Sequence, residues 1–444
     1  MNNYRPISIL HTISKILEKI VNYQVVEYFN SNSFFNQFQF GFRKKHNTQD
    51  ANNLMLEFIY KNINSKSNVV LTFLDLKKAF DSVNIDILLE KLKYYGLEGT
   101  EMNWFASYLK GRSQCVRIGD HISSPLPLNA GVPQGSVLGP TLFNIYINDF
   151  RYAHSGTSFQ YADDTTILFE DKNFSSLERI SNINLESIFQ WLSAKLLAPN
   201  LAKTVYMLLT NKKRPTLTLR LNNHTLKRVE SYKSLGLILD HNLNFGLHCK
   251  KVSNSLARIN FMLYRNKYFL DRKSKLLLYH SLAYPHLIYN VCLWGSAPKI
   301  YLSKVLVGQK RLIRTILGDP RASASQGFID LGILNVKKIY EHQAICYMFK
   351  IIHNVCPPIV VDTIRANQIN HSHNTRRRND IRPPIYSLSG AQKAFSYQGP
   401  SIWNKLPNTI KELNLSYTSF SKLNRLYLTM NYSFHRLVTV VSFF

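Results

Sequence analysis

The chain has 444 residues and 45% hydrophobic content, which is enough for a sizeable core and more than one lobe. The 55 Lys and Arg residues outnumber the 27 Asp and Glu residues, so the formal net charge is +28. This composition excludes a disordered or fibrous chain and favours a polyanionic partner, nucleic acid before an anionic membrane.

The five cysteines indicate neither a zinc site nor a disulfide framework, because their number is odd and no CxxC pair occurs. This usage is typical of a reducing compartment. No apolar run reaches the ~18 residues that span a bilayer, and the N-terminus is not that of a signal peptide. We therefore expect no membrane partner.

The first predicted elements are two helices and a buried strand. Residues 9–29 repeat apolar side chains at helical spacing, and Thr48 can cap a second helix. Val69–Leu74 is a continuous apolar, β-rich run that ends at Asp75, which indicates a strand buried on both faces. An amphipathic pattern over 85–95 predicts the next helix.

The middle of the chain alternates between strand and helix patterns. In order, it predicts short strands at 116–118 and 126–128, a glycine- and proline-punctuated loop at 131–140, a helix at 141–149, a hairpin from 159–161 and 166–169, a helix at 175–196, and strands near 204–209, 216–221 and 232–239. Residues 245–355 are mostly helical in pattern, and the polar, basic segment 371–384 is predicted to be a loop or linker.

Acidic residues follow two of the predicted strands. Asp75 ends the first apolar run, and Asp163 and Asp164 occupy the turn of the predicted hairpin. Two-metal phosphoryl transfer needs carboxylates that converge from separate elements to hold ions ~3.5–4 Å apart, and Mg²⁺ prefers oxygen ligands. A lone Asp-Asp pair is most often only a turn, but charge beside two buried strands is costly if it has no function.

Five segments resemble motifs A to E of reverse transcriptases in order and spacing. They are Phe73–Asp81 (FLDLKKAFD), Gly131–Pro140 (GVPQGSVLGP), Tyr161–Asp164 (YADD), Asn200–Thr204 (NLAKT) and Tyr232–Gly236 (YKSLG). Other segments are similar to jockey-like non-LTR retrotransposon polyproteins, namely 3–8 (NYRPIS), 39–48 (QFGFRKKHNT), 403–407 (WNKLP) and the arginine-rich 376–382. The resemblance covers nearly the whole chain, which begins inside the fingers and is therefore expected to be an N-terminally truncated polyprotein.

The resemblance implies an α+β fold of the right-hand polymerase type, with an antiparallel palm sheet, partial fingers and a helical thumb. Residues 1–240 would form the fingers and palm, 241–360 the thumb and connection, and 361–444 a basic C-terminal region of retroelement type. The implied reaction is RNA-directed DNA polymerisation, in which dNTPs extend a DNA primer on an RNA template. Two Mg²⁺ ions are the implied cofactors, with Mn²⁺ possible, and the implied locations are nucleus and cytoplasm.

The resemblance also implies roles around the metals. Asp75, Asp163 and Asp164 would hold the two ions as catalytic ligands, and the carbonyl of Leu76 would add a further ligand. Lys203 would stand near the triphosphate as a charge stabiliser or proton donor. With a net charge of +28, a solvated lysine is the plain alternative for this last residue.

Nucleotide-binding roles are implied for four residues. Arg43 would grip a phosphate through its forked guanidinium. Phe80 would block a 2′-hydroxyl, with a plain core aromatic as the alternative. Gln134 and Gly135 would line the nucleotide and template side of the pocket, where glycine allows close backbone approach.

The remaining implied contacts are with the nucleic acid. Tyr232 and Gly236 would form the primer grip. The run of Arg376, Arg377 and Arg378 would contact an RNA or DNA backbone, with a solvated run or a nuclear localisation signal as alternatives.

Two other functions fit the same residues. One is an inactive or repurposed element fragment that only binds nucleic acid. The other is a reverse transcriptase and maturase of the group II intron type, which shares the YADD turn. The 403–407 ending and the lack of a zinc-binding endonuclease tail argue against the second alternative.

Overall fold

The structure, a computed structural model, describes residues 7–212, 215–365, 380–411, 413 and 415–430. The chain divides into two compact units. The first comprises the residues up to Asn47 together with Lys66–Val229, and the second comprises Thr48–Ser65 and the residues from Glu230 onward. None of the helices in the described ranges is long and apolar enough to cross a membrane. The functional boundaries expected at 240/241 and 360/361 stay a prediction.

The elements up to residue 230 follow the predicted order closely. They are α1 (Thr12–Ser31), α2 (Thr48–Asn64), β1 (Asn68–Leu74), α3 (Ile85–Tyr94), α4 (Gly99–Leu109), β2 (Ser113–Gln114), β3 (Arg117–Ile118), β4 (His121–Ile122), β5 (Leu126–Pro127), α5 (Gly139–Tyr146), β6 (Thr157–Tyr161), β7 (Asp164–Asp171), α6 (Phe174–Ala194), β8 (Val205–Leu209), β9 (Arg220–Leu221), β10 (His224–Thr225) and β11 (Lys227–Arg228). Short 3₁₀ helices at Ala79–Ser82 and Asn148–Tyr152 add to these.

A five-stranded sheet forms the centre of the first unit, in the order β11-β8-β1-β7-β6. Its neighbouring strands are antiparallel, except that β11 runs parallel to β8. All seven residues of β1 are buried, as its continuous apolar run predicts. Val70 and Leu74 share one core with Leu88 of α3, Phe143 of α5 and Ile188 of α6, so helices cover this face of the sheet.

The helix α1 forms where the periodicity predicts it, but the apolar side chains that give the period are not the ones it buries. Ile13 is 82% exposed and Ile20 is 54% exposed. The buried positions are Glu18, Val25 and Phe29. Burial on this helix is therefore set by its neighbours in the first unit and not by its apolar stripe.

The second unit is mostly helical after one hairpin. Its later elements are β12 (Ser231–Ser234), β13 (Leu237–Asp240), α7 (Gly246–Arg265), α8 (Arg272–Leu278), α9 (Tyr284–Ile288), α10 (Val291–Trp294), α11 (Lys299–Leu317), α12 (Ala324–Asp330), α13 (Val336–Ile352), α14 (Pro358–Arg365), α15 (Phe395–Trp403), α16 (Asn408–Lys411) and α17 (Tyr417–Met430). The helical pattern predicted for 245–355 is confirmed.

The single strand expected near 232–239 is wrong, because this segment is the hairpin β12–β13. Leu235 and Gly236 both have positive φ angles, of 43° and 84°, and so turn the chain back on itself. A two-residue turn of this kind matches the twist of the flanking strands. A leucine in this conformation is uncommon, which is why the sequence pattern does not predict the turn.

Helix α2 belongs to the second unit although it lies in sequence between two parts of the first. Its buried Asp50 carboxylate accepts a 2.7 Å hydrogen bond from the hydroxyl of Tyr347 on α13. The Glu57 carboxylate accepts one of 2.7 Å from the backbone amide of Ser396 on α15. These contacts join residues about 300 positions apart.

Candidate active site

The register of the central sheet brings the three candidate aspartates to one end of two neighbouring strands. The antiparallel pairing of β1 with β7 runs to Leu74 and Thr165, so Asp75 and Asp164 occupy the next positions along the two strands. Asp163 lies in the turn between β6 and β7. Asp75 and Asp163 are half-buried and Asp164 is exposed, so water and a charged substrate can reach all three.

These carboxylates form a ligand set of the type that Mg²⁺ prefers. Side chains directly opposite each other on antiparallel strands have Cβ atoms about 4.5–5.5 Å apart, so their carboxylates can turn to a common point. Among the described residues, no three His, Cys, Asp or Glu side chains are already gathered to hold a metal. The backbone register therefore supplies the positions of the three side chains, and metal binding by them stays a prediction.

The segment 198–204 holds Asp75 from the other side. The backbone amide of Asn200 donates to the carbonyl oxygen of Asp75 at 2.7 Å, and the side-chain amide of Asn200 donates to its carboxylate at 2.8 Å. The backbone amide of Asp75 donates to Thr204 Oγ1 at 3.3 Å. Sequence reasoning did not give Asn200 a role, yet it orients the carboxylate of Asp75.

Leu76 and Lys203 lie on the two sides of this contact. Leu76 forms an antiparallel bridge with Pro199, which uses the carbonyl of Asp75 and the amide of Lys77. The carbonyl of Leu76 takes no part in that bridge, as a metal ligand would require. Lys203 is exposed in the turn that follows Asn200, and its role near the triphosphate stays a prediction.

A buried glutamine holds the aspartate turn itself. Gln39 is 2% exposed, and its Oε1 accepts hydrogen bonds of 2.9 Å from the backbone amides of both Gly41 and Ala162. Ala162 has a φ of 57°, a conformation that non-glycine residues rarely adopt without support. Phe40 and Gln160 pair through their backbones beside it. Gln39 therefore fixes the turn that carries Asp163.

Gly41 leaves the space that this arrangement requires. A Cβ atom at this position would lie 2.2 Å from the backbone nitrogen of Ala162, far inside any real contact. The carbonyl of Gly41 also accepts a 2.8 Å hydrogen bond from the side chain of Asn144. Sequence reasoning missed Gln39 and Gly41, and the available signal was an amide side chain within the apolar QFGF segment.

Phe80 stands between the turn and the loop 131–140. It is half-buried, and its ring stacks on Phe143 at a centroid distance of 4.5 Å. The ring of Phe42, next to Gly41, is nearly perpendicular to that of Phe80, with 6.1 Å between the two ring centroids. The carbonyl of Phe80 accepts a 2.9 Å hydrogen bond from the amide of Val132, which joins the segment 73–81 to the loop.

The same loop is fastened at two further points. The side-chain amide of Gln134 donates to the carboxylate of Asp81 at 2.8 Å. Gly135 has a φ of 111°, which L-residues rarely adopt, and a Cβ there would lie 3.0 Å from the carbonyl oxygen of Ser8. The buried carboxylate of Glu18 accepts a 2.6 Å hydrogen bond from the amide of Val137. Gln134 and Gly135 thus lie beside the segment that carries Phe80.

Residues 1–239, more than half of the chain, match the family model described as reverse transcriptase (RNA-dependent DNA polymerase). The chain belongs to the reverse transcriptase family. Its mixed helical and antiparallel architecture is that of the right-hand polymerase fold, so the fold class predicted from the sequence is confirmed. Members of this family use divalent metal ions.

Curated relatives come from insect mobile elements. The RNA-directed DNA polymerase from mobile element jockey of Drosophila melanogaster is 30% identical over 334 residues, which is 72% of this chain and 36% of the relative. The probable RNA-directed DNA polymerase from transposon BS of the same species is 28% identical, with the same two shares. The chain therefore spans about a third of the length of these relatives. The resemblance to jockey-like non-LTR elements is confirmed.

Among solved structures, apo telomerase from Candida tropicalis has 10% sequence identity and a TM-score of 0.39. The match covers 79% of this chain and 61% of that chain. Telomerase from Candida albicans, in complex with a fragment of telomeric RNA, has 11% identity and a TM-score of 0.40. It covers 73% of this chain and 59% of that chain. Likeness at this level carries no argument about the reverse transcriptase site.

Arg43 already has partners within its own loop. Its guanidinium donates to the carbonyl oxygens of Asn36 at 2.9 Å and Gln39 at 3.2 Å, and lies 5.0 Å from the ring centre of Phe35. Burial lowers the pKa of Arg43 to about 10, so it stays protonated at neutral pH. Only its remaining N–H groups can reach a phosphate. Its nucleotide-binding role stays a prediction beside this structural one.

The expected primer-grip residues lie in the second unit, on the hairpin β12–β13. Gly236 forms its turn, and a Cβ there would lie 2.8 Å from the ring of Tyr289. The hydroxyl of Tyr289 donates to the carbonyl of Leu235 at 2.6 Å and so fastens the turn. Tyr232 lies on β12. Arg376, Arg377 and Arg378 fall outside the described residues.

Proposed function

We propose that this reverse transcriptase chain extends the 3′ end of a DNA primer on an RNA template, with dNTPs as substrates. The observation that carries the proposal is the strand register that sets Asp75 beside Asp164, with Asp163 in the adjoining turn. The relatives are named RNA-directed DNA polymerases, and the chain spans about a third of their length. DNA synthesis on an RNA template is therefore a proposal for this chain, although it is the activity in the names of these relatives.

Two Mg²⁺ ions are the proposed cofactors, and Mn²⁺ can replace them. When bound, they would lower the pKa of the primer 3′-hydroxyl and neutralise charge on the triphosphate and the leaving pyrophosphate. Asp75, Asp163 and Asp164 would hold them, with the carbonyl of Leu76 as a further ligand. The side-chain amide of Asn200 donates to the carboxylate of Asp75 and so restrains its orientation.

The other residues act on the nucleotide and its leaving group. Phe80, supported from behind by Phe143, would close the space that a 2′-hydroxyl needs. Gln134 and Gly135 would border the base and template, and Arg43 a phosphate. Lys203 would stabilise the charge that develops on the leaving pyrophosphate or protonate it.

The nucleic-acid contacts complete the proposal. Tyr232 and Gly236 would position the primer end, and Arg376, Arg377 and Arg378 would pair with backbone phosphates. The template RNA and the DNA target are the macromolecular partners. A chain that copies RNA at a chromosomal site would work in the nucleus after synthesis in the cytoplasm.

Primer extension tests the function directly. We expect purified protein to extend oligo(dT) on poly(rA) in the presence of Mg²⁺. We expect Asp163→Asn and Asp164→Asn to abolish extension, because each removes a charged metal ligand, while template–primer affinity stays within about threefold. Paramagnetic titration with Mn²⁺ should show weakened metal binding in both variants. Extension within tenfold of wild type in both variants would reject the catalytic assignment.

A further inference from the structure

The helices α7 to α11 of the second unit carry a concentration of positive charge. Residues Gly246–Leu317 contain 13 Lys and Arg and one acidic residue, Asp271. The carboxylate of Asp271 caps α8 by accepting a 2.8 Å hydrogen bond from the amide of Ser274. Such an excess of positive charge attracts a polyanion and repels a positively charged molecule.

A groove of about 460 Å³ lies between α7 and α11 within this basic region. Its floor is made of small residues, because Ser253, Ala257 and Gly308 line it. Gly308 of α11 faces Leu256 of α7, since a Cβ at Gly308 would lie 3.4 Å from that side chain, an ordinary van der Waals contact. The groove therefore lies along the two packed helices α7 and α11.

Two aromatic rings and two cations border the groove. Phe261 is 65% exposed and Tyr264 is 55% exposed, and they lie one helical turn apart on the same face of α7. Lys304 and Arg311 border it from α11. The ammonium of Lys267 lies 4.6 Å from the ring centre of Tyr264. Cations beside exposed rings are the combination with which proteins bind the bases and phosphates of single strands.

A polar side chain on the groove wall is held in place. Asn260 lines the groove, and its Oδ1 accepts a 2.8 Å hydrogen bond from the hydroxyl of Thr315. The same amide carries an NH₂ group, which can donate to a base oxygen. Stacking, charge and one hydrogen-bond donor are thus present in one groove.

We propose that this groove binds an unpaired stretch of the RNA template. Bases stack on Phe261 and Tyr264, and phosphates pair with Lys304 and Arg311. The occupant is a single strand because only unpaired bases offer their faces to a ring, whereas the bases of a duplex cover one another. The choice of RNA rests on the proposed function, in which the template is RNA.

The test compares a groove variant with a matched surface variant. Phe261→Ala/Tyr264→Ala removes both rings from the groove. Tyr94→Ala/Tyr152→Ala removes two rings of the first unit, 87% and 74% exposed. The dissociation constants of both full-length variants are measured by fluorescence anisotropy, with a 12-nucleotide RNA and with a duplex of the same sequence. Thermal melts check that each variant folds.

The groove variant should weaken single-strand binding at least about tenfold, because each stacked base contributes several-fold to affinity. Its duplex affinity should change less than about twofold, and the control should leave both unchanged. Replacing Lys304 and Arg311 by Gln should lower the slope of log affinity against log salt by about 1.4, as expected when two phosphate contacts are lost.

An unchanged single-strand affinity in the groove variant, or an equal loss for strand and duplex, would overturn the proposal. So would an effect of the charge variant without any effect of the ring variant. Primer extension by the same proteins separates the two proposals. Wild-type protein that binds RNA through the groove but does not extend a primer would reject the polymerase and keep the groove.

Discussion

The two units of the molecule hold their polar residues in place by different means. In the first, strand pairing sets the three candidate aspartates, and the side chains of Asn200, Thr204 and Gln39 add hydrogen bonds to their segments. In the second, the buried carboxylates of Asp50 and Glu57 on α2 accept hydrogen bonds from residues about 300 positions away in the sequence. A backbone register does not titrate, whereas a buried carboxylate does. The aspartate turn of the first unit should therefore be sensitive to changes of shape, and the contact of Glu57 in the second unit to pH.

The largest effect should come from filling the space at Gly41. In Gly41→Ala the new Cβ would lie 2.2 Å from the backbone nitrogen of Ala162, so the aspartate turn must move. We expect primer extension to fall at least about a hundredfold, because a misplacement of about 1 Å can cost that much. Gly390→Ala is the control, since a Cβ there meets nothing within 4 Å. Comparable extension by both variants would show that the turn does not depend on Gly41.

Removal of the Gln39 side chain should have the next largest effect. Gln39→Ala leaves the buried amides of Gly41 and Ala162 without their acceptor, at roughly 1–3 kcal/mol each. We expect kcat to fall about 10- to 100-fold while the KM for dNTP changes little, because the residue acts through the turn. Gln39→Glu keeps the acceptor oxygen and should recover part of the kcat. If Gln39→Glu loses as much kcat as Gln39→Ala, and both variants melt at the same lowered temperature, Gln39 has a purely structural role.

A smaller and more specific effect is expected at Phe80. Phe80→Val should raise ribonucleotide use relative to deoxyribonucleotide use if, as proposed, the ring excludes a 2′-hydroxyl by clash. Loss of its stacking on Phe143 will also lower stability, by less than the ~3–5 kcal/mol that truncating a fully buried Phe to Ala costs, because Phe80 is half-buried and Val keeps part of the side chain. The measurement is the ratio of kcat/KM for dCTP over CTP, beside a thermal melt. A lowered melt with an unchanged ratio would leave Phe80 as a packing residue only.

Patterns that depend on neighbouring residues were predictable from the sequence. The buried run 69–74 and the hairpin around Asp163 each follow from local composition, and both are confirmed. The supporting residues were not, because Gln39 and Asn200 contact partners more than 120 positions away. Residues 232–239 were predicted to be one strand but form a hairpin. The reason is local, because nothing in their composition indicates a leucine with positive φ at the turn.

The smallest effect concerns the stability of the second unit. Burial raises the pKa of Glu57 from 4.5 to about 7, although its hydrogen bonds with Ser396 oppose this. Between these values the folded state binds more protons than the unfolded state, so stability is lost as pH rises from about 4.5 through 7. Glu57→Gln stays neutral and keeps an acceptor for the amide of Ser396. At pH 8 the variant should therefore exceed wild type by up to roughly 3 kcal/mol.

Denaturant titrations at pH 5 and pH 8 measure this difference. At pH 5 only a small part of this loss of stability has occurred, because the pKa in the unfolded state lies near 4.5, so the variant should exceed wild type by less than about 1 kcal/mol. Glu341→Gln makes the same chemical change at an exposed position of α13 and should match wild type at both pH values. If Glu57→Gln raises the free energy of unfolding by the same amount at both pH values, the gain comes from packing and not from the titration of Glu57. In that case the contact between α2 and Ser396 would not depend on pH, and it would resemble the strand pairing that positions the aspartates.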